Sequence, residues 1–219
     1  MTTRRSLPEN VSVAEKRGDD RLYAPAAERN ARAITDVLSS CAPRAGRALE
    51  IASGTGQHVA GFAAAMPQLL WQPTEIDAER RNSIDSWSRG AENILPAQHL
   101  DATRPGWSAD HAGMTLIVVV NLLHLISSGQ TRQLIAEATH ALLSAGRLVI
   151  YGPFLRDGRA TSEGDARFHA SLRAADPEIG YKDVEQVRQW LADTGMRMVD
   201  TIDMPANNLT LISEKPQRP

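Results

Sequence analysis

The stretch Glu50-Ile51-Ala52-Ser53-Gly54-Thr55-Gly56 places an acid inside an apolar run and then brackets one threonine with two glycines. Glycine reaches positive φ and lets the backbone approach a ligand with no Cβ in the way. The turn from Ser53 to Gly56 therefore suits a phosphate or a nucleoside. A dinucleotide fingerprint needs G-x-G-x-x-G, but Val59 stands at the third position, and no lysine follows as in a phosphate-binding loop. Glu50 adds a charge argument. A carboxylate so near the turn repels a pyrophosphate and attracts a cation.

Further acids extend the pattern. Glu75 falls 19 residues after Gly56, and a ribose-binding carboxylate is expected roughly 20 residues on. Asp77 can share or replace that role, or simply cap the helix that follows. Asp101 is placed to accept from an adenine amino group, with a surface turn as its plainer reading. A nucleoside joined to an ammonium and a cationic sulfur meets these demands, and S-adenosylmethionine is such a molecule. The predicted cofactor track is thus Glu50, Ser53, Gly54, Gly56, Glu75, Asp77 and Asp101. Tyr23 and Arg29 are expected to cap it, Arg29 by pairing with its carboxylate.

Asn121 and His124 follow the clearest strand of the chain and are the candidates for chemistry. Asn121 can touch the cofactor and orient a donor through its side-chain oxygen. His124, with an ordinary pKa near 6.5, can take a proton at neutral pH, or it is a packed histidine at a helix start. Tyr151, Phe154 and Asn207 are candidates for the substrate side, an aromatic at the first two positions being as often core. The remaining histidines are scattered without zinc-like spacing, so no metal is expected.

These residues need a scaffold that gathers them. Helix periodicity is read over Ala26 to Ser40, Gly56 to Ala65, Ala78 to Trp87, Thr131 to Leu143, Ala166 to Ala174 and Val184 to Asp193. Strands are read at 47–52, 69–76, 94–100, 115–120 and 147–151, with two closing strands at 196–203 and 209–213 around the turn Pro205 to Asn208. The alternation implies a doubly wound, mostly parallel α/β sheet of seven strands with right-handed crossovers. The last two strands, joined by a short turn, form an antiparallel hairpin. In such a sheet the ligand lies over the carboxyl ends of the strands, where every residue singled out above belongs. A single domain is expected over residues 25–219, behind an N-terminal arm or lid at 1–24. The charged insertion at 154–182 is read as a substrate lid.

Composition narrows the class. The chain has 219 residues, 24 Lys and Arg against 26 Asp and Glu, and one cysteine. No basic surplus points to nucleic acid or a membrane surface, and Cys41 alone makes neither a disulfide framework nor a cysteine-rich metal site. Neither a span of roughly 18 apolar residues nor a secretory leader is read, so a cytoplasmic protein is expected.

The open sheet with its terminal hairpin resembles the class I S-adenosylmethionine-dependent methyltransferases. More narrowly, the chain resembles the methyltransferase-like protein 26 family (domain of unknown function 938). The likeness is carried by "RLYAPAAERN" from Arg21, "LEIASGTGQH" from Leu49, "WQPTEID" from Trp71, "NLLH" from Asn121, "YGPF" from Tyr151, "LRAADP" from Leu172 and "PANN" from Pro205. It spans nearly the whole chain and implies an S-adenosylmethionine site with no settled acceptor. Thr115 stands where the family carries an acid, Ser127-Ser128 where it carries Pro-Trp, and Gly164-Asp165 and His169 where it carries a Ser-Asn pair and an Asp. These differences are expected on the substrate side.

The function read from the sequence is methyl transfer to a small-molecule acceptor, mainly by positioning, with neither nucleic acid nor membrane as partner. A non-catalytic cofactor- or partner-binding protein on the same fold is the first rival, and a NAD(P)-dependent oxidoreductase the second. The oligomeric state is left open, a homodimer included.

Overall fold

In the computed structural model, which describes residues 14–16 and 19–217, apolar runs and amphipathic stretches assemble into one open α/β sheet. Most of the expected arm, residues 1–13 and 17–18, lies outside the described residues. β1 (Glu15–Lys16) and β2 (Leu22–Tyr23) precede α1 (Pro25–Cys41). There follow β3 (Gly46–Ile51), α2 (Gln57–Ala65), β4 (Leu69–Pro73), α3 (Ala78–Trp87), β5 (Met114–Val120), α4 (Ser128–Ala141) and β6 (Leu142–Gly152). The chain ends with β7 (Phe154–Leu155), α5 (Glu163–Ala175), β8 (Lys182–Asp183), α6 (Val184–Asp193), β9 (Arg197–Asp203) and β10 (Leu209–Glu214).

The main sheet has the order β4-β3-β5-β6-β10-β9. Its first four strands are parallel, and β10 runs antiparallel to both β6 and β9. The apolar run of β5 lies at its centre, where a strand covered on both faces should be. One face packs Ile34, Leu38, Val59 and Phe62 of α1 and α2 against the sheet. The other face packs Leu134 and Ile135 of α4 and Val187 and Leu191 of α6. Each such fully buried side chain contributes about 1.5–3 kcal/mol.

The sheet has six regular strands rather than seven. The expected strand at 94–100 makes only two isolated parallel bridges, Trp71↔Ile94 and Thr74↔Gln98. Pro96 is the reason. It has no N–H for the ladder, and its carbonyl is claimed by the Gln72 side chain at 2.9 Å.

Two further devices position the site. The approach to α1 is strapped to α2 and α3: the Leu22 amide donates to Ser83 Oγ at 2.8 Å, Trp87 Nε1 to the Leu22 carbonyl at 3.0 Å, and the Ala24 amide to Gln57 Oε1 at 2.6 Å. The insertion is tied at its root, because β7 and β8 pair in parallel with Phe154 opposite Lys182. Helix α5 is held between these strands, started by Ser162, whose hydroxyl accepts from the Asp165 amide. Among the described residues no helix is long and apolar enough to cross a membrane.

Candidate active site

A cavity of about 1480 Å³ opens over the carboxyl ends of β3, β4 and β5. Its walls come from the segments that leave those strands, from the start of α1 and from the insertion. Three regions matter for chemistry.

The glycine turn is the first. Gly54 has φ +59°, and a Cβ built there meets no protein atom nearer than Arg80 Nη1 at 4.0 Å. Gly56 has φ +94°, but its Cβ would lie 2.7 Å from the Ile84 Cα. The two glycines therefore do different work. Gly56 lets the turn pack on α3, while Gly54 leaves open space on the cavity side. Ala52 also adopts positive φ, at 55°, an uncommon conformation for a residue with a Cβ.

Glu75 is the second. Its Oε2 accepts the Gly54 amide at 3.1 Å, and its Oε1 accepts the amides of Ile76 at 2.8 Å and Asp77 at 3.2 Å. These bonds fix a carboxylate in the cavity wall beside the glycine turn, with lone-pair capacity left on Oε2. Asp77 lines the cavity and is also the N-cap of α3, accepting the Arg80 amide at 2.9 Å. Asp101 lines it too, but binds its own turn, taking the Thr103 hydroxyl at 2.6 Å and Arg104 Nε at 3.2 Å.

Glu50 is not a wall residue. It lies under the turn, 1 % exposed, and its Oε2 has no hydrogen-bond partner. Burial, reinforced by the Glu75 charge, pushes its pKa up to about 8. This shift favours the neutral form, which weakens the direct attraction to a cation expected from the sequence. An orphaned buried carboxyl oxygen at 1–3 kcal/mol is a group that awaits a partner.

The third region faces away from the turn. His124 sits in a helical turn at Leu123–Leu125, 6 % exposed, with its ring edge-to-face against Phe168 at 5.9 Å and Tyr181 at 6.0 Å. Phe168 and Tyr181 are themselves 6.0 Å apart, so three rings from three segments make one aromatic wall. Burial first, and the Lys182 charge second, push the His124 pKa down to about 3. A neutral imidazole whose conjugate acid is so strong is a poor proton acceptor. Asn121 also lines the cavity and holds φ 54°, an αL conformation asparagine tolerates.

Several expected wall residues belong elsewhere. Tyr23 stacks edge-on against Trp87 at 5.1 Å and is not part of the cavity lining, which is supplied by Ala24, Pro25 and Ala26. Tyr151, 3 % exposed, is buried in the core under α1 and α2 with a hydrogen bond to the Asn30 side chain. Phe154, 2 % exposed, packs in the opposite core cluster. Both follow from strand alternation, which turns these side chains into the sheet faces rather than over its end. Asn207 is exposed and donates to Asp165 Oδ2 at 3.0 Å, tying α5 to the turn before β10 instead of lining the cavity. Thr115 stands at the amino end of β5, away from the cavity, where its hydroxyl bonds the Arg47 carbonyl. Ser127 caps α4 and His169 accepts the Tyr181 amide at 3.0 Å, so only the latter supports the aromatic wall.

Sequence reading missed Phe168 and Tyr181, and also the pair Asn30–His58. His58 Nε2 lies 2.8 Å from Asn30 Oδ1, and burial pushes its pKa down to about 4. Its adjacency to the glycine turn in "GTGQH" was the available signal. Arg29 lines the cavity and is exposed. Among the described residues no three His, Cys, Asp or Glu side chains come together as metal ligands.

The geometry defines a Rossmann-like methyltransferase fold, and solved structures agree. The chain is similar to an O-methyltransferase family protein from Burkholderia thailandensis, with 16 % identity and a TM-score of 0.73 over 86 % of this chain and 57 % of that one. It is similar to human N-acetylserotonin methyltransferase in complex with SAM, with 15 % identity and a TM-score of 0.73 over 88 % and 53 % of the two chains. It is also similar to an O-methyltransferase family 2 protein from Planctomyces limnophilus in complex with apigenin, with 21 % identity and a TM-score of 0.66 over 84 % and 61 %. The chain thus spans little more than half the length of these structures. Within this fold it belongs to the DUF938 family, described as proteins of unknown function, whose pattern matches residues 21–215.

Proposed function

We propose that the protein is an S-adenosylmethionine-dependent methyltransferase acting on a small-molecule acceptor, in keeping with its resemblance to the methyltransferase-like protein 26 family. The observation that carries this reading is the pairing of Gly54 with Glu75. A residue whose missing side chain leaves open space stands beside a carboxylate held in place by three main-chain amides. That pair fits a ribose diol approached closely by backbone. The rest of the cavity is in keeping with this reading: Asp101 and Arg29 line it, where an adenine amino group and a carboxylate would be received, and the orphaned Glu50 oxygen lies beneath the turn.

When bound, the cofactor supplies an electrophilic methyl on a sulfonium. The chain's own residues supply position and dryness. The aromatic wall and the insertion, which acts as the substrate lid, exclude water from the acceptor. Asn121 orients the donor atom of the acceptor through its side-chain oxygen, and His124 shapes the wall without taking a proton. Transfer then depends on alignment, which in well-oriented pairs removes roughly 7–11 kcal/mol of barrier.

Calorimetry tests the assignment. S-adenosylhomocysteine should bind and stabilise the fold by about 2.7 kcal/mol at a hundredfold excess over its Kd, while NAD gives no response. Binding of NAD with no response to S-adenosylhomocysteine overturns it.

A further inference from the structure

The insertion end of the cavity carries negative charge that the mechanism above does not use. Asp165 in the first turn of α5 and Asp176 at its C-cap both line the cavity, and among the described residues neither has an ion-pair partner. Asp165 Oδ2 accepts the Ser162 hydroxyl at 2.7 Å and the Asn207 side-chain amide at 3.0 Å. Its Oδ1 accepts the Tyr181 hydroxyl at 3.3 Å and keeps lone-pair capacity. Asp165 therefore adjoins the aromatic wall twice, through Tyr181 and through Phe168, which follows three residues on along the same face of α5. Burial first, and the Asp165 charge second, push the Tyr181 pKa up. The same field disfavours an anion seated on that wall and favours a cation.

A second observation is independent of charge. His124 is 6 % exposed and lines the cavity. Among the described residues neither of its ring nitrogens has a hydrogen-bond partner, and neither is among the unpartnered atoms sealed in the core. Both nitrogens therefore open on the cavity. A neutral imidazole offers one N–H and one lone pair, and leaving them unpaired when a ligand excludes water is costly. The ligand that seats here has a polar group for His124 as well as an apolar body for the rings.

Positive charge lies elsewhere. The arginines of the cavity wall, Arg29, Arg80 and Arg104, come from α1, α3 and the turn after Asp101, and none from the insertion. Lys182 of β8 and Arg173 of α5 do not line the cavity. Lys182 is 5 % exposed, and its ammonium donates to the carbonyls of Ile126 at 2.6 Å and Gly180 at 2.8 Å. Coulomb energy falls with distance, so a carboxylate in the wall outweighs an ammonium buried outside it.

We propose that the insertion end of the cavity takes a cationic acceptor: an apolar body lies against the Phe168 and Tyr181 rings, and a protonated amine sits on the Asp165 carboxylate. This rests on the methyl-transfer reading. Asp176 stands eleven residues beyond Asp165, about 16 Å along the helix axis, so one ammonium reaches only one of the two acids. An ammonium has no lone pair to attack a methyl carbon. The amine is therefore the handle by which the acceptor is held, and the methyl goes to a different atom, toward Asn121 and the glycine turn. Asp165 selects the acceptor and takes no proton in the transfer.

The test compares three ligands of similar shape and different charge by calorimetry, on the full chain with S-adenosylhomocysteine present. At neutral pH 2-phenylethylamine is a cation, 2-phenylethanol is uncharged and phenylacetate is an anion. The parent should bind the amine about tenfold tighter than the alcohol, with phenylacetate weakest. Asp165→Asn keeps the shape of the side chain and an acceptor oxygen for its Ser162 and Asn207 donors. It should lose about tenfold in amine binding and bind the alcohol as the parent does, and Asp165→Glu should restore a preference for the amine. Asp176→Asn should lose less. A parent that binds the alcohol or phenylacetate as well as the amine, or binds none of the three, overturns the proposal. So does an Asp165→Asn variant that weakens amine and alcohol equally, since Asp165 is then only a brace for α5, and so does a larger loss at Asp176 than at Asp165. Binding of S-adenosylhomocysteine is measured first: its absence in the parent sinks the methyl-transfer reading, whereas its presence without a preference for the amine sinks this proposal alone.

Discussion

At the glycine-turn end the cavity wall is largely main chain, with the Gly54, Ile76 and Asp77 amides fixing the Glu75 carboxylate and positive φ angles aiming the backbone. At the insertion end the wall is side chain, three rings from residues 124, 168 and 181 braced by a buried lysine. Main-chain donors read features common to every copy of one ligand, such as a ribose. Side-chain walls can be changed residue by residue without disturbing the sheet. The contrast assigns an invariant ligand to the first end and a variable one to the second.

The largest expected effect strikes the main-chain end. Glu75→Ala removes hydrogen bonds to a charged acceptor worth about 1.5–3 kcal/mol each and leaves three amides without their partner. S-adenosylhomocysteine affinity should fall by about a thousandfold if both ribose hydroxyls use the carboxylate. An isothermal titration showing less than a tenfold loss would move the ribose elsewhere. Asp77→Ala should lose much less affinity and cost about 1 kcal/mol of stability, because its defined contact is the α3 cap.

The two glycines sharpen the same contrast at a smaller scale. Gly54→Val places a branched side chain in the ligand's space, and its affinity should drop by up to about 100-fold, from a steric cost of roughly 1–3 kcal/mol. Gly56→Ala drives a Cβ toward the Ile84 backbone and should show mainly as a lower melting temperature. If Gly56→Ala melts like the parent while Gly54→Val unfolds, the division of labour between the glycines is reversed.

What the sequence made legible follows the same division. The spans of α3 and α6 were read to the residue, because each begins at an aspartate cap and carries a helical apolar stripe. Gly54, Glu75 and Asp101, singled out from the sequence, do line the cavity, since strand-end acids and glycine turns are local signals at fixed spacing. Tyr23 was not, because Trp87 far along the chain takes its ring. Tyr151 and Phe154 were misplaced because a residue at a strand end can point over the edge or into either face, and only the register decides. The aromatic wall was illegible for a stronger reason. Phe168 and Tyr181 meet His124 only after β7 and β8 pair and bring the insertion back, and no spacing within one element encodes that meeting. Lys182 reads as an ordinary surface lysine until the same closure buries it.

The last expected effect concerns His124; it is small at neutral pH and grows away from it. The unfolded chain takes up a proton on histidine near pH 6.5, whereas the folded chain does so at about 4 on His58 and about 3 on His124. Between those limits the unfolded state holds more protons, so stability is fully present above about 6.5 and is lost as pH falls. Each histidine should remove about 2 kcal/mol between pH 7 and pH 5. His124→Phe keeps an aromatic ring against Phe168 and Tyr181 and cannot take a proton. Urea unfolding should therefore show the variant losing about 2 kcal/mol less than the parent over that interval, with little difference at pH 7. His58 offers no such clean test, since replacing it strands Asn30 Oδ1. Equal acid losses in parent and variant would mean that His124 titrates near its ordinary value in the folded protein. It would then be free to serve as a base at neutral pH.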